Sequence, residues 1–199
     1  MNVKEIIENC DVILITAGAG IGVDSGLPDF RSKDGLWKNG MKYEQIARPI
    51  MLELQEEEFW NFYNQRLESY RNATPHQGFN LLLDLCKNKD DYFVYTSNVD
   101  GQFQKAGFEN VYEIHGTIHR LQCSNVECEN YQYGNSWFNN EPTNQLHYCP
   151  KCGKTARPNI LMFSDWEWDS KNSDDQEKEY QLFLERNKDK KICINNLLK

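Results

Sequence analysis

Four cysteines in one short window are the residues whose type and spacing point most directly to a chemistry. Cys123 and Cys128 form one pair, and Cys149 and Cys152 form a second pair after a longer gap. Two close pairs of thiolates can surround one tetrahedral zinc ion. Because four protein ligands close the coordination sphere, such a zinc stabilises a fold and does no chemistry itself. The alternative is a set of unconnected free thiols.

A glycine-rich segment follows the first apolar run of the chain. Residues 11–16 predict a buried parallel strand, and Gly18, Gly20 and Gly22 come directly after it. Glycines there let the backbone approach a pyrophosphate, and the N–H groups at the start of the next helix favour its negative charge. Val23 stands where the usual dinucleotide fingerprint has its third glycine. The spacing alone therefore also fits a tight turn that binds nothing.

Polar side chains follow two further predicted strands. Asn98 and Asp100 come after the strand at 92–96, and His115 comes after the strand at 110–114. Ligands of open α/β sheets bind at the carboxyl ends of the strands. An imidazole titrates near neutral pH, so His115 suits a general base, although a lone histidine is more often structural.

The periodicity of apolar residues predicts strands that alternate with helices at 2–9, 54–71 and 77–88. This alternation favours an α/β fold with a parallel sheet of Rossmann type. The stretch 123–153 is polar and has little apolar periodicity, so something other than a hydrophobic core must stabilise it, and the cysteine spacing favours a metal. We therefore expect a small inserted zinc-binding module at 120–157.

Towards the C-terminus the pattern is less regular. Residues 169–179 form a charged segment, and the predicted helix covers only 180–186. Lys191 begins a possible strand up to Ile194, which residues 195–199 do not recognisably continue.

Composition limits the functional classes. The formal net charge is −8, which disfavours direct binding to nucleic acid. The chain has no apolar run of about 18 residues, so we expect no membrane span. Its N-terminus lacks the features of a secretory signal, and its seven cysteines are an odd number. We expect a cytoplasmic protein without a disulfide framework.

The longer strings around these residues resemble sirtuins, a family of NAD-dependent protein-lysine deacylases. AGAGIGVDSGLPDFR at 17–31 resembles the signature G-A-G-x-S-x-x-S-G-I-P-D-F-R, with Gly22 at a position where most sirtuins have Ser. TSNVD at 96–100 resembles T-Q-N-I-D, and His115 lies in the family's histidine-glycine motif. The resemblance covers about residues 3–168, and sirtuins carry a four-cysteine zinc module at the matching position.

This resemblance implies that NAD is a co-substrate and that the zinc is structural. Phe30 would shield the nicotinamide–ribose bond from water, and Ser97 replaces a Gln of the family motif. The implied cofactor-binding residues are Ala17, Gly18, Ala19, Gly20, Asp29, Phe30, Arg31, Ser97, Asn98 and Asp100.

The resemblance also implies the reaction and its catalytic residues, His115 and Asn98. The acyl oxygen of an acylated protein lysine attacks the ribose carbon that carries nicotinamide, and His115 acts as base on a ribose hydroxyl. The products are free lysine, nicotinamide and O-acyl-ADP-ribose.

Four residues are implied in binding the acyl-lysine. Tyr63 and Arg66 lie three residues apart on one helix face and match a Y-x-x-R motif of the sirtuins that prefer succinyl- and malonyl-lysine. Ala47 resembles the small residue that widens the pocket in that branch. Phe163 lies in RPNILMFSD, which resembles the segment R-P-x-V-V-x-F-G-E of the acyl channel. The alternative for Tyr63 and Arg66 is an ordinary surface pair.

A sirtuin has a further strand with a G-T-S-type motif and later elements that bind the adenosine half of NAD. We do not recognise them after Ile194, so we expect residues 1–199 to form one catalytic domain with an incomplete C-terminal part. Two alternatives remain open: an inactive remnant that binds NAD or ADP-ribose, and a protein mono-ADP-ribosyltransferase. The oligomeric state is not predicted.

Overall fold

A computed structural model describes residues 3–29 and 40–197. Phe30 and Arg31 lie outside the described residues. The helices are α1 (Val3–Asn9), a 3-10 helix (Ala19–Ser25), α2 (Gly40–Ile46), α3 (Ile50–Leu54), α4 (Glu56–Asn72), α5 (Gln77–Lys87), α6 (Gln102–Lys105), α7 (Glu129–Gln132) and α8 (Lys171–Arg186). The strands are β1 (Val12–Ala17), β2 (Asp91–Thr96), β3 (Val111–Glu113), β4 (Gly116–Cys123), β5 (Trp137–Phe138), β6 (Ala156–Ile160) and β7 (Ile192–Leu197).

The larger sheet has four parallel strands in the order β3-β2-β1-β7. The chain adds β2 and β3 on one side of β1 and then returns through α8 to place β7 on the other side. The strand order therefore reverses beside β1, and ligands of such sheets bind outside the carboxyl ends at this point. The predicted Rossmann-type α/β fold is confirmed.

Strand β1 lies at the centre of this sheet because both of its faces are apolar. Ile13 and Ile15 pack into a cluster with Phe79 on one face. Leu14 packs against Phe183 on the other face. Full burial of each such side chain stabilises the fold by roughly 1.5–3 kcal/mol. The strand that precedes the glycine-rich turn is thus firmly placed.

A second, antiparallel sheet has the order β5-β4-β6. Helix α4 packs on it through buried aromatic residues, including Phe59 and Trp60, which join Ile118 and Leu121 in one core cluster. The cysteine-rich stretch belongs to this sheet and its loops. The bounds 120–157 for an inserted module stay a prediction.

A buried ion pair fixes the segment after β6. The Arg157 guanidinium bonds both carboxylate oxygens of Asp165, and it also donates to the carbonyl of Ile160 at 3.1 Å. The two side chains are 2% and 0% exposed. Met162 N donates to Asp165 Oδ2 at 3.1 Å, so the carboxylate holds the local backbone as well.

Two expectations about the C-terminal part were wrong. Helix α8 begins at Lys171, so the helix predicted at 180–186 starts too late and the charged segment before it is largely helical. Ser170 Oγ bonds Asp174 Oδ2 at 2.8 Å across the first turn, while Ser173 and Phe183 are buried on one face. A charged sequence therefore forms a helix here because a few buried residues anchor it to the sheet.

Strand β7 also continues further than expected. It pairs with β1 from Ile192 to Leu197, although residues 195–197 gave no strand signal. Parallel pairing uses backbone groups, which asparagine supplies as well as other residues do. Partly buried and exposed side chains alternate from Cys193 to Leu197, with Ile194 exposed and Asn195 partly buried. The other predicted strands and helices are confirmed, with shifts of a residue or two at their ends. Among the described residues, no helix is long and apolar enough to cross a membrane.

Candidate functional site

The carboxyl ends of β1, β2 and β3 meet at one edge of the parallel sheet, and the segments that follow them are bonded together. Thr96 Oγ1 donates to the carbonyl of Ala17 at 3.1 Å and accepts from Asn98 N at 3.1 Å. Ser97 N also donates to Ala17 O at 3.1 Å, and Ile114 N donates to Thr96 O at 3.0 Å. Residues far apart in sequence are thus placed side by side.

Asn98 joins the end of β2 to the glycine-rich turn. Its side chain is 7% exposed. Its amide Nδ2 donates to the carbonyl of Gly18 at 3.0 Å. Gly18 N in turn donates to Leu197 O at 3.2 Å on the neighbouring strand. The turn is therefore held from both sides at the position where the strand order reverses.

The glycine-rich turn leads into the 3-10 helix without a side-chain cap at Gly18. The first N–H groups of a helix have no partner within it, so they are suited to an acidic ligand group. Gly22 is buried, and a Cβ there would lie 3.3 Å from Leu27 Cβ. Gly26 adopts a left-handed conformation with φ 80°. The turn is compact, because Gly22 leaves little space for a Cβ and Gly26 takes a conformation that favours glycine.

His115 lies next to Asn98 in a cleft of about 80 Å³ that is also lined by Ala19, Ser97 and Asp100. Burial lowers the pKa of His115, and a hydrogen bond with the Ser97 backbone acts in the opposite direction. The imidazole is therefore mainly neutral at pH 7 and can accept a proton.

Asp100 is 8% exposed, and burial raises the pKa of its carboxyl. Its Oδ1 accepts from Gln102 N at 2.9 Å. Its carbonyl bonds His119 Nε2 at 2.9 Å. The intervening Gly101 has φ +68°, and a Cβ there would lie 2.8 Å from His119 Cδ2. His119 therefore braces this backbone, and it does not line the cleft that holds His115.

Arg66 reaches the same cleft from α4 and is only 8% exposed. Its Nη2 donates to Tyr70 OH at 2.8 Å, and its Nη1 donates to Tyr43 OH at 3.4 Å. Burial alone would lower the pKa of Arg66, but the surrounding tyrosines raise it, so the guanidinium is charged. Within the described part of the chain, no carboxylate forms an ion pair with it. Arg66 is thus a buried cation held by neutral groups.

The other three residues expected to bind the acyl group differ in their surroundings, and none of them lines the cleft. Tyr63 is 1% exposed and its hydroxyl has no hydrogen-bond partner among the described residues, but it does not line the cleft. Ala47 is buried, and its carbonyl accepts from Phe163 N at 3.0 Å. The Phe163 ring meets the ring of Tyr43 edge-on at 6.1 Å between centroids. Since Tyr63 and Arg66 are both buried, the alternative of a surface pair is wrong.

Sequence reasoning missed the two tyrosines that hold Arg66. Tyr70 follows Arg66 by one helical turn, so the spacing could have shown that pair. Tyr43 lies on a separate short helix, and no local pattern places it beside Arg66.

The four cysteines lie together at the other end of the second sheet. Their sulfur atoms are all within 4.8 Å of one another. The Sγ atoms of Cys123 and Cys152 are 3.6 Å apart, and those of Cys128 and Cys149 are 3.9 Å apart. A tetrahedral zinc with Zn–S bonds of about 2.3 Å separates its sulfurs by about 3.8 Å, whereas a disulfide bond is about 2.05 Å long. The geometry therefore fits zinc.

Neighbouring polar groups support this site. Asn125 N donates to Cys123 Sγ at 3.4 Å, and Asn130 Nδ2 donates to Cys149 Sγ at 3.5 Å. Burial raises the pKa of the Cys123 thiol, so a cation is needed to keep it deprotonated. The alternative of unconnected thiols is wrong for these four residues.

Comparison with known proteins identifies the family. The model of the Sir2 family matches residues 18–181. The chain belongs to the Sir2 family, the sirtuins. It is 35% identical over 160 residues to an NAD-dependent protein deacylase of Aquifex aeolicus, covering 79% of this chain and 63% of the relative. It is 36% identical over 166 residues to an NAD-dependent protein deacetylase of Staphylococcus epidermidis, covering 81% and 65%.

Solved structures agree with this assignment. A Sir2 homolog–NAD complex has a TM-score of 0.75 and 28% identity, with 98% of this chain and 72% of that chain covered. A mutant Sir2 homologue in complex with ADP-ribose has a TM-score of 0.72 and 30% identity, with 83% and 65% covered. This sirtuin chain spans 63–65% of the length of these two curated relatives.

Proposed function

We propose that this chain removes acyl groups from protein lysines in an NAD-dependent reaction. The observation that carries the proposal is the convergence of Asn98, His115 and the glycine-rich turn at the carboxyl edge of the parallel sheet. The family supports it, because the relatives named above are NAD-dependent protein deacylases and deacetylases. The partner that we propose is an acylated lysine of a protein substrate.

The residues at this edge fit NAD. The turn offers backbone N–H groups and carries no long side chain between Ala17 and Gly20, which suits a pyrophosphate. Asn98 and Asp100 are buried polar groups that line the cleft beside the turn, which suits the hydroxyl groups of a ribose. NAD, when bound, supplies the ribose that receives the acyl group and the nicotinamide that leaves.

His115 is the residue that we propose as the base. Because burial lowers its pKa, its imidazole is available to take a proton from a ribose hydroxyl at neutral pH. Asn98 orients the adjoining backbone through its bond to Gly18, and because it lines the same cleft as His115, we propose that it contacts the same ligand. A base of this kind contributes roughly 10²–10⁴-fold to a rate.

Arg66 supports a finer proposal, a preference for succinyl- and malonyl-lysine. A buried cation without an anionic partner is costly, and a carboxylate at the end of an acyl chain would pair with it. Tyr43 and Tyr70 fix the guanidinium at the cleft wall, and Phe163, whose N donates to Ala47 O, meets the Tyr43 ring edge-on. Tyr63 acts through packing against Arg66, since its own hydroxyl does not line the cleft.

The test is turnover of acetyl-, succinyl- and malonyl-lysine peptides by the purified chain, with and without NAD, beside His115→Ala. We expect NAD-dependent release of free lysine peptide that falls at least about a hundredfold in the variant. Thermal melting of both proteins shows that the variant is folded. No turnover by folded, zinc-loaded protein would contradict the proposal.

The acyl preference has its own comparison. Arg66→Met keeps an apolar stem and removes the charge, and we expect it to lose about tenfold or more in kcat/KM for the succinyl peptide. Arg66→Lys keeps the charge but loses the planar guanidinium. Its kcat/KM for the succinyl peptide should therefore lie between those of the parent and Arg66→Met. An equal loss for acetyl and succinyl peptides would contradict a carboxylate contact.

A further inference from the structure

A second cavity shares Tyr70 and Asp100 with the candidate cleft but does not include His115. It has a volume of about 460 Å³. It lies between the C-terminal end of α4, helix α6, strands β3 to β5 and the start of α8. Cavities of a few hundred Å³ accommodate small molecules.

Three cations line this cavity: Arg71, Lys105 and Arg120. None of them forms an ion pair within the described ranges. They donate to neutral oxygens instead, such as Lys105 Nζ to Arg71 O at 2.8 Å and Arg120 Nε to Ser136 Oγ at 3.0 Å. On a chain with net charge −8, three unpaired cations around one cavity favour an anionic occupant.

Two buried carboxyl groups, Asp100 and Glu113, line the same cavity, and burial raises the pKa of both, which favours their neutral forms. Glu113 is 4% exposed, and burial raises the pKa of its carboxyl to about 8, with Asp100 acting in the same direction. Hydrogen bonds with Gln176, Gln104 and Thr117 act against these effects. Glu113 is therefore mainly protonated at pH 7 and presents a neutral hydrogen-bonding group.

The wall of the cavity also has an apolar part. Phe138 is 65% exposed and carries the Arg120 guanidinium over its ring at 4.6 Å. Tyr70 also lines the cavity. An occupant that combines a carboxylate with an apolar body would use both the cations and the rings.

We propose that this cavity is a second binding site, which takes a small organic acid. The carboxylate of the acid pairs with Lys105 and Arg120, and its apolar body lies against Phe138 and Tyr70. Hydrogen bonds connect this cavity to the cleft: His119 Nε2 bonds Asp100 O at 2.9 Å, and Gln102 Nε2 donates to Tyr70 O at 3.3 Å. Occupancy of the cavity should therefore change the affinity of the cleft for NAD. This coupling rests on the proposed function, but binding of the acid is independent of it.

The binding test uses phenylacetate and its uncharged analogue phenylacetamide as probes. Their binding to the protein is measured by ligand-observed NMR titration without NAD. We expect the acid to bind and the amide to bind at least about tenfold more weakly, because charged hydrogen bonds are the stronger ones. Lys105→Gln and Arg120→Gln should each weaken binding of phenylacetate by about tenfold. Lys87→Gln, on the exposed face of α5, makes the same change in net charge and should leave binding unchanged.

Each outcome decides a part of the proposal. The site would be overturned if acid and amide bound equally, or if Lys105→Gln and Lys87→Gln had equal effects. It would also be overturned if phenylacetate did not bind up to about 10 mM, a limit that corresponds to a binding free energy of roughly 3 kcal/mol. Melting temperatures within about 2 °C of the parent show that the variants are folded. In a separate titration, a change of at least about threefold in the Kd for NAD at saturating phenylacetate supports the coupling, and an unchanged Kd refutes it. Absence of NAD binding altogether would count against the proposed function and not against the acid site.

Discussion

The carboxyl edge of the parallel sheet and the cysteine cluster are held in place by different means. At the edge, Asn98 follows β2 and His115 follows β3, in which Val94 and Val111 are 0% and 6% exposed, so a core fixes both residues without any ligand. In the cluster, the buried side chains are the cysteines themselves, with only partly buried residues packed on them. The proposed chemistry should therefore depend on the core, and the shape of the cysteine-bearing loops should depend on the metal.

Loss of the metal is the strongest way to separate the two regions. We expect Cys149→Ser combined with Cys152→Ser to abolish zinc binding, because two ligands are gone, and to remove roughly 10 kcal/mol of metal-binding free energy. Hydrogen exchange should rise throughout residues 123–153, while β1 and β2 stay protected. Zinc content by mass spectrometry and exchange by residue are the measurements. Cys193→Ser, outside the cluster, is the matched control and should keep its zinc; equal exchange in the double variant and the parent would contradict the prediction.

The Arg157–Asp165 pair tests the connection between the second sheet and the segment beside the cleft. We expect Asp165→Ala to lower the free energy of unfolding by about 3–5 kcal/mol, because it leaves a buried guanidinium without its partner. Denaturant unfolding measures this loss. The double variant Arg157→Met/Asp165→Leu removes both charges and should lose much less. If the single and double variants lost the same amount, the cost of an unpaired charge would not be the cause.

Glu113 tests whether the edge of the sheet tolerates a buried carboxyl only in its neutral form. Its pKa is about 8 in the folded chain against an ordinary 4.5, so between these pH values the unfolded chain releases the proton and the folded chain keeps it. The contribution of this group to stability is therefore complete below pH 4.5 and is lost as pH rises towards 8. We expect Glu113→Gln to be more stable than the parent by on the order of 2 kcal/mol at about pH 9, with no such gain at about pH 4.

Melting curves across this pH range measure the effect. Glu109→Gln, at an exposed position nearby, is the control and should show no pH-dependent difference. A constant difference at every pH would mean that packing, and not ionisation, distinguishes Glu113→Gln from the parent.

The same contrast explains what could be predicted from the sequence. Strand ends are local signals, so the positions of Asn98 and His115 at one sheet edge followed from short apolar runs and parallel pairing. The four cysteines were predictable because a metal needs ligand types and spacings that are visible in the sequence.

Other features depend on contacts between distant residues. The hydrogen bond from Arg66 to Tyr43 joins α4 to α2. The second cavity combines residues from α4, α6 and α8 with strands of both sheets. Helix α8 was only partly predicted because its charged half is anchored by Ser173, whose hydroxyl donates to Glu113 O at 2.9 Å. No local pattern shows such a partner.

The smallest expected effect is a shift in the pH profile of His115, and it bears on the edge of the sheet alone. The base must be neutral, so kcat/KM for deacylation should fall on the acid side as the imidazole takes up a proton. Because burial lowers the pKa of His115 from 6.5, the midpoint of this fall should lie below pH 6.5. Leu161 lines the same cleft and its N donates to His115 O at 2.9 Å. Leu161→Ala should open the imidazole to water and move the midpoint up towards 6.5, without changing zinc content. A midpoint above 6.5 in the parent would show that a nearby anion, and not burial, controls the group proposed as the base.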